Sequence, residues 1–409
     1  MSVITIFSGA FCNAQQVVDE VRDSTGFKVV SDADAVSAAQ ALSGIAADKI
    51  QRAFAAKTSV FNKFTHEKES SVAYLRLFLA NLLAEDNLIV DGFTGQLIPT
   101  TISHVLRVAL IGDVNFRLSV ATQTRGLSEK EALKRLRSND DNCAAWMEFL
   151  HRESKDCWDP KMYDLFIPMN KSSVEQASAL IEENIFKAVV QTTQASQMAV
   201  NDFRLAAEVE VALIREGHNV DVVAEGSVVT LHIHKQVLML SRLEEELRTI
   251  ASRVPGVAEV LVKASQTYHQ ANIYRKHDFS LPDRVLIVDD ERDLVQTLSE
   301  RLQIRDMGSV VAFDGESALK LVRDDDPGVM IIDLKMPGIN GLEVLRKVKE
   351  TRPEIEVIIL TGHGSVADEA QCMQLGAFGY LNKPVDIEKL SEMLKLAHQK
   401  SQSRQAQNQ

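Results

Sequence analysis

Cysteine is scarce in this chain, and its spacing carries no motif. Cys12, Cys143, Cys157 and Cys372 are the four among 409 residues, and no two form a Cys-x-x-Cys pair. They read as reduced cytosolic thiols. Long apolar runs are missing as well, since none approaches the length of a membrane span. The opening Met1 to Phe7 has a few apolar residues but no preceding basic residue, and its core is too short for a signal peptide. Basic residues are outnumbered 45 to 57, for a formal net charge of −12. That balance argues against nonspecific binding to nucleic acid or to an anionic membrane. No helix-turn-helix and no basic recognition helix occurs, which argues against a transcription factor. Internal repeats and long low-complexity segments are absent too. Together these absences predict a cytoplasmic protein.

What remains is ordinary globular composition, 45% hydrophobic and 25% charged. The length predicts two to four domains. The clearest linker is the polar stretch Tyr274 to Pro282, and a second junction falls in the Gln/Ser/Thr-rich stretch from Thr192 to Met198. The polar tail Gln402 to Gln409 reads as disordered.

The most informative residues lie in the last third. Val285-Leu286-Ile287-Val288 runs into Asp289-Asp290, and Val329-Met330-Ile331-Ile332 into Asp333. Val357 to Leu360 runs into Thr361-Gly362, and Tyr380-Leu381-Asn382 into Lys383-Pro384. Each is a short aliphatic run ending in a polar residue, the pattern of buried parallel strands whose carboxyl ends open into a crevice. Leu294, Leu298 and Leu302 form one helical stripe between them, and Ile387, Leu390, Leu394 and Ala397 another. Right-handed crossovers then predict a five-stranded parallel sheet with helices on both faces.

Chemistry explains the residue types. A lone carboxylate is a poor phosphoryl acceptor because donor and acceptor are both anionic. Asp289, Asp290 and Asp333 crowded together offer the oxygen ligands that Mg²⁺ takes, and Lys383 adds a second fixed cation. Phosphoryl transfer relies mainly on such positioning and charge. Thr361 is placed to hydrogen-bond the new phosphate, and Lys383-Pro384 is a candidate cis peptide. Any single acid after a strand is more often a cap or turn residue; the reading rests on all these positions occurring in order.

Residues 283–400 resemble a response-regulator receiver domain, with a flavodoxin-like (βα)5 fold. The resemblance is carried by Asp289-Asp290, by Asp333-Leu334-Lys335-Met336-Pro337-Gly338, by Thr361-Gly362-His363-Gly364 and by Lys383-Pro384. It implies that Asp333 is the phosphoacceptor and that Asp289, Asp290, Asp333 and the backbone carbonyl of Lys335 hold Mg²⁺. It also implies that Thr361, Lys383 and the aromatic Tyr380 form the phosphate-binding switch. A sensor histidine kinase or phosphotransfer protein is the implied partner.

Residues 200–272 read helix, strand, strand, helix, strand. Leu205, Val209 and Leu213 line one helical face, and strands flank a Glu225-Gly226 turn. With Gly226 to Leu231 and Pro255-Gly256-Val257, the segment resembles a BON domain, a small αββαβ module. His232 and His234 lie on one face of a strand, but a metal site would need further ligands and none is apparent nearby.

The first 192 residues resemble the cytidylate-kinase-like proteins, with a P-loop-kinase-like α/β fold. The resemblance rests on strand Ser2 to Phe7 with the loop Ser8-Gly9-Ala10-Phe11-Cys12-Asn13, on His104 to Ile111, on Arg117, on Arg125-Gly126-Leu127-Ser128 and on Trp158 to Leu165. It makes Ser8, Gly9, Arg117, Arg125 and Arg135 candidate nucleotide contacts. Ser128-Glu129-Lys130-Glu131 is a capping box opening a helix that bears Lys134, Arg135 and Arg137. Those three could close over phosphates, or simply form a solvated face. After Gly9, however, the loop has no further glycine and no lysine, and Asn142 is neutral where relatives carry charge. Those losses remove what phosphoryl transfer needs. The domain therefore reads as a degenerate kinase scaffold with no catalytic residues, one that senses or binds.

The expected protein is an α/β multidomain response regulator, phosphorylated on Asp333 and relaying the signal to its kinase-like and BON-like domains. The alternative is a nucleoside monophosphate kinase switched by the receiver. A nucleotide ligand and a homodimer are open partners.

Overall fold

In the computed structural model, residues 2–151, 156–234, 240–264, 278, 280–362 and 365–407 are described. They fall into two compact units, one of Met1–Thr58 with Glu67–Arg275 and one of Ser59–His66 with Lys276–Gln409.

The first unit is built on a parallel sheet of β1 (Val3–Ser8), β2 (Lys28–Ser31), β3 (Leu88–Asp91), β4 (Val105–Ile111) and β5 (Leu165–Pro168). Its strand order is β2-β3-β1-β4-β5, and every neighbouring pair is parallel. Alternation along β1 feeds two cores. Val3 and Phe7 face one that includes Trp146, while Ile4 and Ile6 face one that includes Ile181. Period-two side-chain placement makes one strand serve both faces.

The same unit carries a smaller three-stranded sheet. In it β6 (Asp221–Glu225) pairs antiparallel with β7 (Val228–Ile233), and β7 pairs parallel with β8 (Glu259–Ala264). Helix Gln194–Arg215 joins the two layers through two apolar faces. Val200, Phe203, Ala207 and Val211 enter the large core, and Leu205, Val209 and Leu213 enter the small one. The stretch expected to be a junction is therefore largely helical. Thr193 caps that helix, and Ser196 completes the capping box.

The second unit holds β9 (Val285–Val288), β10 (Ser309–Ala312), β11 (Val329–Ile332), β12 (Glu356–Thr361) and β13 (Gly379–Asn382). They form one parallel sheet in the order β10-β9-β11-β12-β13. Leu286, Val288, Met330 and Ile332 face one core, and Val285, Ile287, Val329 and Ile331 the other, so both faces are covered by helices as expected. Also within this unit, the Val60 N–H donates to Asp325 Oδ1 at 3.1 Å.

Two details depart from expectation. In helix Arg292–Ile304 the buried stripe is Val295, Leu298 and Leu302, with Leu294 only half-buried. Spacing of 3.6 residues per turn favours a three–four alternation over strict fours. The polar tail is helical rather than disordered as far as Gln407. Lys400 and Arg404 reach Glu356, a fully buried carboxylate, at 3.3 and 2.8 Å. Lys349 lies 3.6 Å from the same group. Ion pairing to a buried acid thus holds residues whose composition alone predicts no packing. Most of the expected linker, residues 274–277 and 279, lies outside the described residues.

Candidate functional site

At the carboxyl ends of β9 and β11 the backbone register puts Ile332 beside Val288, so Asp289 and Asp333 emerge side by side. Asp290 joins them. The three carboxylates each present one oxygen, all within 4.8 Å of one another. Asp289 and Asp333 are buried and Asp290 is exposed. Strand β13 delivers Lys383, whose Nζ lies 2.7 Å from Asp289 Oδ2, 2.8 Å from Glu291 Oε1 and 3.3 Å from Asp333 Oδ2. The Lys383-Pro384 bond is cis.

The electrostatics follow from burial. Desolvation pushes the Asp289 carboxyl above its ordinary range, with the Lys383 hydrogen bond working against it. Burial alone would lower Lys383, but its hydrogen bonds to Asp289 and Glu291 prevail and raise it, so the amine stays charged. Asp333 Oδ1 is buried with no hydrogen-bond partner among the described residues. An orphaned carboxylate oxygen within an oxygen-only donor set fits a hard divalent cation. Asp289, Asp290 and Asp333 are the side chains that would hold Mg²⁺, which when bound would offset negative charge beside the Asp333 carboxylate.

The remaining expected residues take distinct places. Thr361 is buried at the end of β12, where its carbonyl accepts from the Lys383 N–H at 2.9 Å. Tyr380 is half-buried on β13, and its hydroxyl is buried without a partner among the described residues. The Lys335 side chain is exposed. His363 and Gly364 lie outside the described residues. Glu291 went unnoticed in the sequence, although it is the third acid of the run Asp289-Asp290-Glu291.

In the first unit, the loop after β1 is already engaged. Phe11 and Asn13 adopt positive φ of 63° and 57°, a conformation that suits glycine. The Ala10 N–H donates to Asn139 Oδ1 at 2.9 Å, and the Ala10 carbonyl accepts from Arg117 Nε at 2.9 Å. Arg117 is buried and forks onto Asp140 at 2.6 and 3.1 Å. Of the candidate nucleotide contacts, Ser8, Gly9 and Arg117 therefore come together. Gly9 is tightly flanked, since a Cβ there would lie 3.3 Å from Cys12 Sγ and 3.5 Å from the Arg117 guanidinium. Arg125 and Arg135 are exposed, as are Lys134 and Arg137. Asn142 Oδ1 accepts from the Ala56 N–H at 2.9 Å. His232 on β7 and His234 just beyond its end are both half-buried. His234 pairs with Asp221 at 2.6 Å, and His232 stands opposite Lys263 in register. Among the described residues the only group of three acids, histidines or cysteines close enough to share a metal is Asp289, Asp290 and Asp333.

A doubly wound parallel sheet with a buried acid, an acidic pair and a lysine at its carboxyl edge has the form of a receiver domain. Comparison with known proteins agrees. Residues 285–395 match the model of the response regulator receiver domain, and residues 3–171 match that of the cytidylate kinase-like family. The chain thus carries a receiver domain behind a cytidylate-kinase-like region. Response regulator MprA of Mycolicibacterium vanbaalenii is 34% identical over 110 residues, 27% of this chain and 48% of that protein. MprA of Mycobacterium avium is 34% identical over 107 residues, 26% and 47% of the two. The chain spans about half the length of these curated relatives. Among solved structures, a receiver domain protein from Clostridium thermocellum shares 33% identity, covering 29% of this chain and 95% of that one with a TM-score of 0.28. The receiver domain of NtrX from Brucella abortus shares 28%, covering 28% and 98% with a TM-score of 0.27. No helix among the described residues is long and apolar enough to cross a membrane.

Proposed function

We propose that Asp333 accepts a phosphoryl group from a sensor histidine kinase or phosphotransfer protein, and that the receiver relays this event to the kinase-like and αββαβ parts of the chain. The observation that carries the reading is the free, buried Oδ1 of Asp333 beside two further acids and Lys383. Mg²⁺ held by Asp289, Asp290 and Asp333 is the cofactor of this reading. Residues 1–192, 200–272 and 283–400 are its three working parts, and the middle part keeps its likeness to a BON module.

The first part serves as a binding or sensing module in this proposal. The Ala10 N–H of its loop and its buried arginine are satisfied internally by Asn139 and Asp140, so a nucleotide phosphate would have to displace a carboxylate to reach Arg117. That contact disfavours the alternative of a nucleoside monophosphate kinase switched by the receiver.

Intact-mass measurement after incubation with acetyl phosphate and Mg²⁺ tests the proposal. Wild type gains one phosphoryl group and Asp333→Asn gains none. An unchanged wild-type mass, or equal labelling of the variant, overturns it.

A further inference from the structure

Residues 59–66 fall by sequence within the kinase-like region, yet they are part of the second unit. The Phe61 N–H donates to Ser59 Oγ at 3.2 Å, and one helical turn, Asn62–Thr65, follows. Phe61 is fully buried and Ser59 is buried as well. The Val60 N–H donates to Asp325 Oδ1, at the end of helix Gly315–Asp325. Phe64 lies against Gly308, where a Cβ would come within 2.7 Å of its Cγ, so a residue without a side chain is needed there. Gly308 immediately precedes β10, and helix Gly315–Asp325 leads into β11. The segment therefore sits at the amino ends of the receiver strands, the edge opposite Asp333.

Both ends of the segment run back into the first unit, at Thr58 and at Glu67. Helix Ala47–Arg52 before it and helix Glu67–Leu82 after it contribute Ile50, Leu75 and Leu79 to the large core of that unit. The chain thus passes between the receiver and the kinase-like region at two places besides the expected linker.

We propose that Ser59–His66 is a built-in ligand of the receiver and the element through which phosphorylation reaches the kinase-like region, an inference that rests on the reading of Asp333 as the acceptor. Strand β11 links the two edges, since Asp333 follows its carboxyl end and Asp325 lies before its amino end. The direction of the change is release. Phe61 has no exposed surface left to bury. Asp325 Oδ2 is buried with no hydrogen-bond partner among the described residues. An unpaired buried carboxylate oxygen opposes the seated state, and water relieves it once the segment leaves. Burial of Phe61 holds the segment and the carboxylate works against it, the balance that a two-state element requires.

Hydrogen exchange on the full chain tests this, before and after incubation with acetyl phosphate and Mg²⁺, with intact mass read from the same tubes. In the resting chain the amides of residues 60–66 should exchange slowly. Labelling should speed them about tenfold, within the usual range of coupling between two sites. Phe61→Ala should speed them by at least as much without labelling, and should still gain one phosphoryl group. Phe64→Ala, which removes a half-buried ring, serves in its place should Phe61→Ala fail to fold. Fast exchange at 60–66 in the resting wild type overturns the seat. Unchanged exchange in a chain that has gained the phosphoryl mass overturns the relay and leaves the acceptor reading intact. Absence of the mass gain overturns the acceptor reading and the relay with it, and slow resting exchange then makes the segment a structural clasp only.

Discussion

Lys383 Nζ stands 2.7 Å from Asp289 Oδ2 and 3.3 Å from Asp333 Oδ2, with Glu291 Oε1 at 2.8 Å, so the proposed acceptor Asp333 is the least tightly held of its three acidic partners. The ammonium offsets the acidic pocket while leaving one oxygen of Asp333 unpaired. A fixed cation placed this way stabilises charge arriving at Asp333 more than it stabilises the resting carboxylate. Lys383→Met should therefore slow labelling of Asp333 by acetyl phosphate by about 100-fold, the scale of losing one preorganised electrostatic contact. A time course of intact mass reads the rate. An unchanged rate would show that Lys383 is only a structural counterion.

Metal affinity should fall as the medium is acidified. Asp289 is raised by burial, so it takes up a proton above the ordinary carboxylate range, and a protonated carboxyl competes with a cation for the same oxygen. Calorimetric titration of Mg²⁺ should show weakening that begins above pH 4. Asp289→Asn with Asp290→Asn should bind at least about tenfold more weakly at neutral pH, the scale of one lost ligand-shell contact. Equal affinity in the double variant would remove both residues from the site.

Asp91, at the end of β3, is pushed up from 3.8 to about 6 by burial and then by the neighbouring Asp32 and Asp19. With the folded value above the unfolded one, the native state holds the extra proton between these limits. The cost of its buried charge is thus absent below about pH 4 and complete above about pH 6. Asp91→Asn should raise stability by roughly 1 to 3 kcal/mol at pH 7, and the gain should vanish by pH 4. Paired thermal melts of wild type and variant across that range measure it.

The kinase-like region should show no turnover with ATP and CMP, UMP or AMP. Arg117 is neutralised by Asp140, the loop has no lysine, and a helix terminus supplies only about half an elementary charge. A coupled assay on the full chain decides this. Activity that disappears when Lys134, Arg135 and Arg137 are changed to alanine would show instead that the exposed basic face of helix Glu129–His151 does the work.

Glu356 anchors the final helix. Replacing this fully buried acid by alanine leaves Lys349, Lys400 and Arg404 without their shared partner. The loss should be about 3 kcal/mol, as for other broken buried pairs. Hydrogen exchange should also rise in residues 398–407. Unchanged exchange there would mean that contacts other than the ion pairs hold the helix.

Residue order alone was enough to read the receiver. Strands β9, β11 and β12 are buried along their whole length and so appear as aliphatic runs, each leading into a polar residue. The αββαβ pattern was legible for the same reason, through Leu205, Val209 and Leu213 on one helical face. Helix Gln194–Arg215 was legible only in part. Its second apolar face, Val200, Phe203, Ala207 and Val211, serves a different core, and overlapping stripes blur a single period. Glu291 was hidden because an exposed acid at a strand end has many ordinary roles.

The sequence by itself pointed to four of the five receiver strands and to Asp289, Asp290, Asp333 and Lys383 at their ends, because these follow from local hydrophobic runs and from polar residues at strand ends. Only the tertiary structure decided which charges are spent on one another. Arg117 and Asp140 are 23 positions apart, and Lys383 and Glu291 are 92 apart. Pairings of that range depend on where the backbone brings side chains together, and no spacing in the chain encodes them.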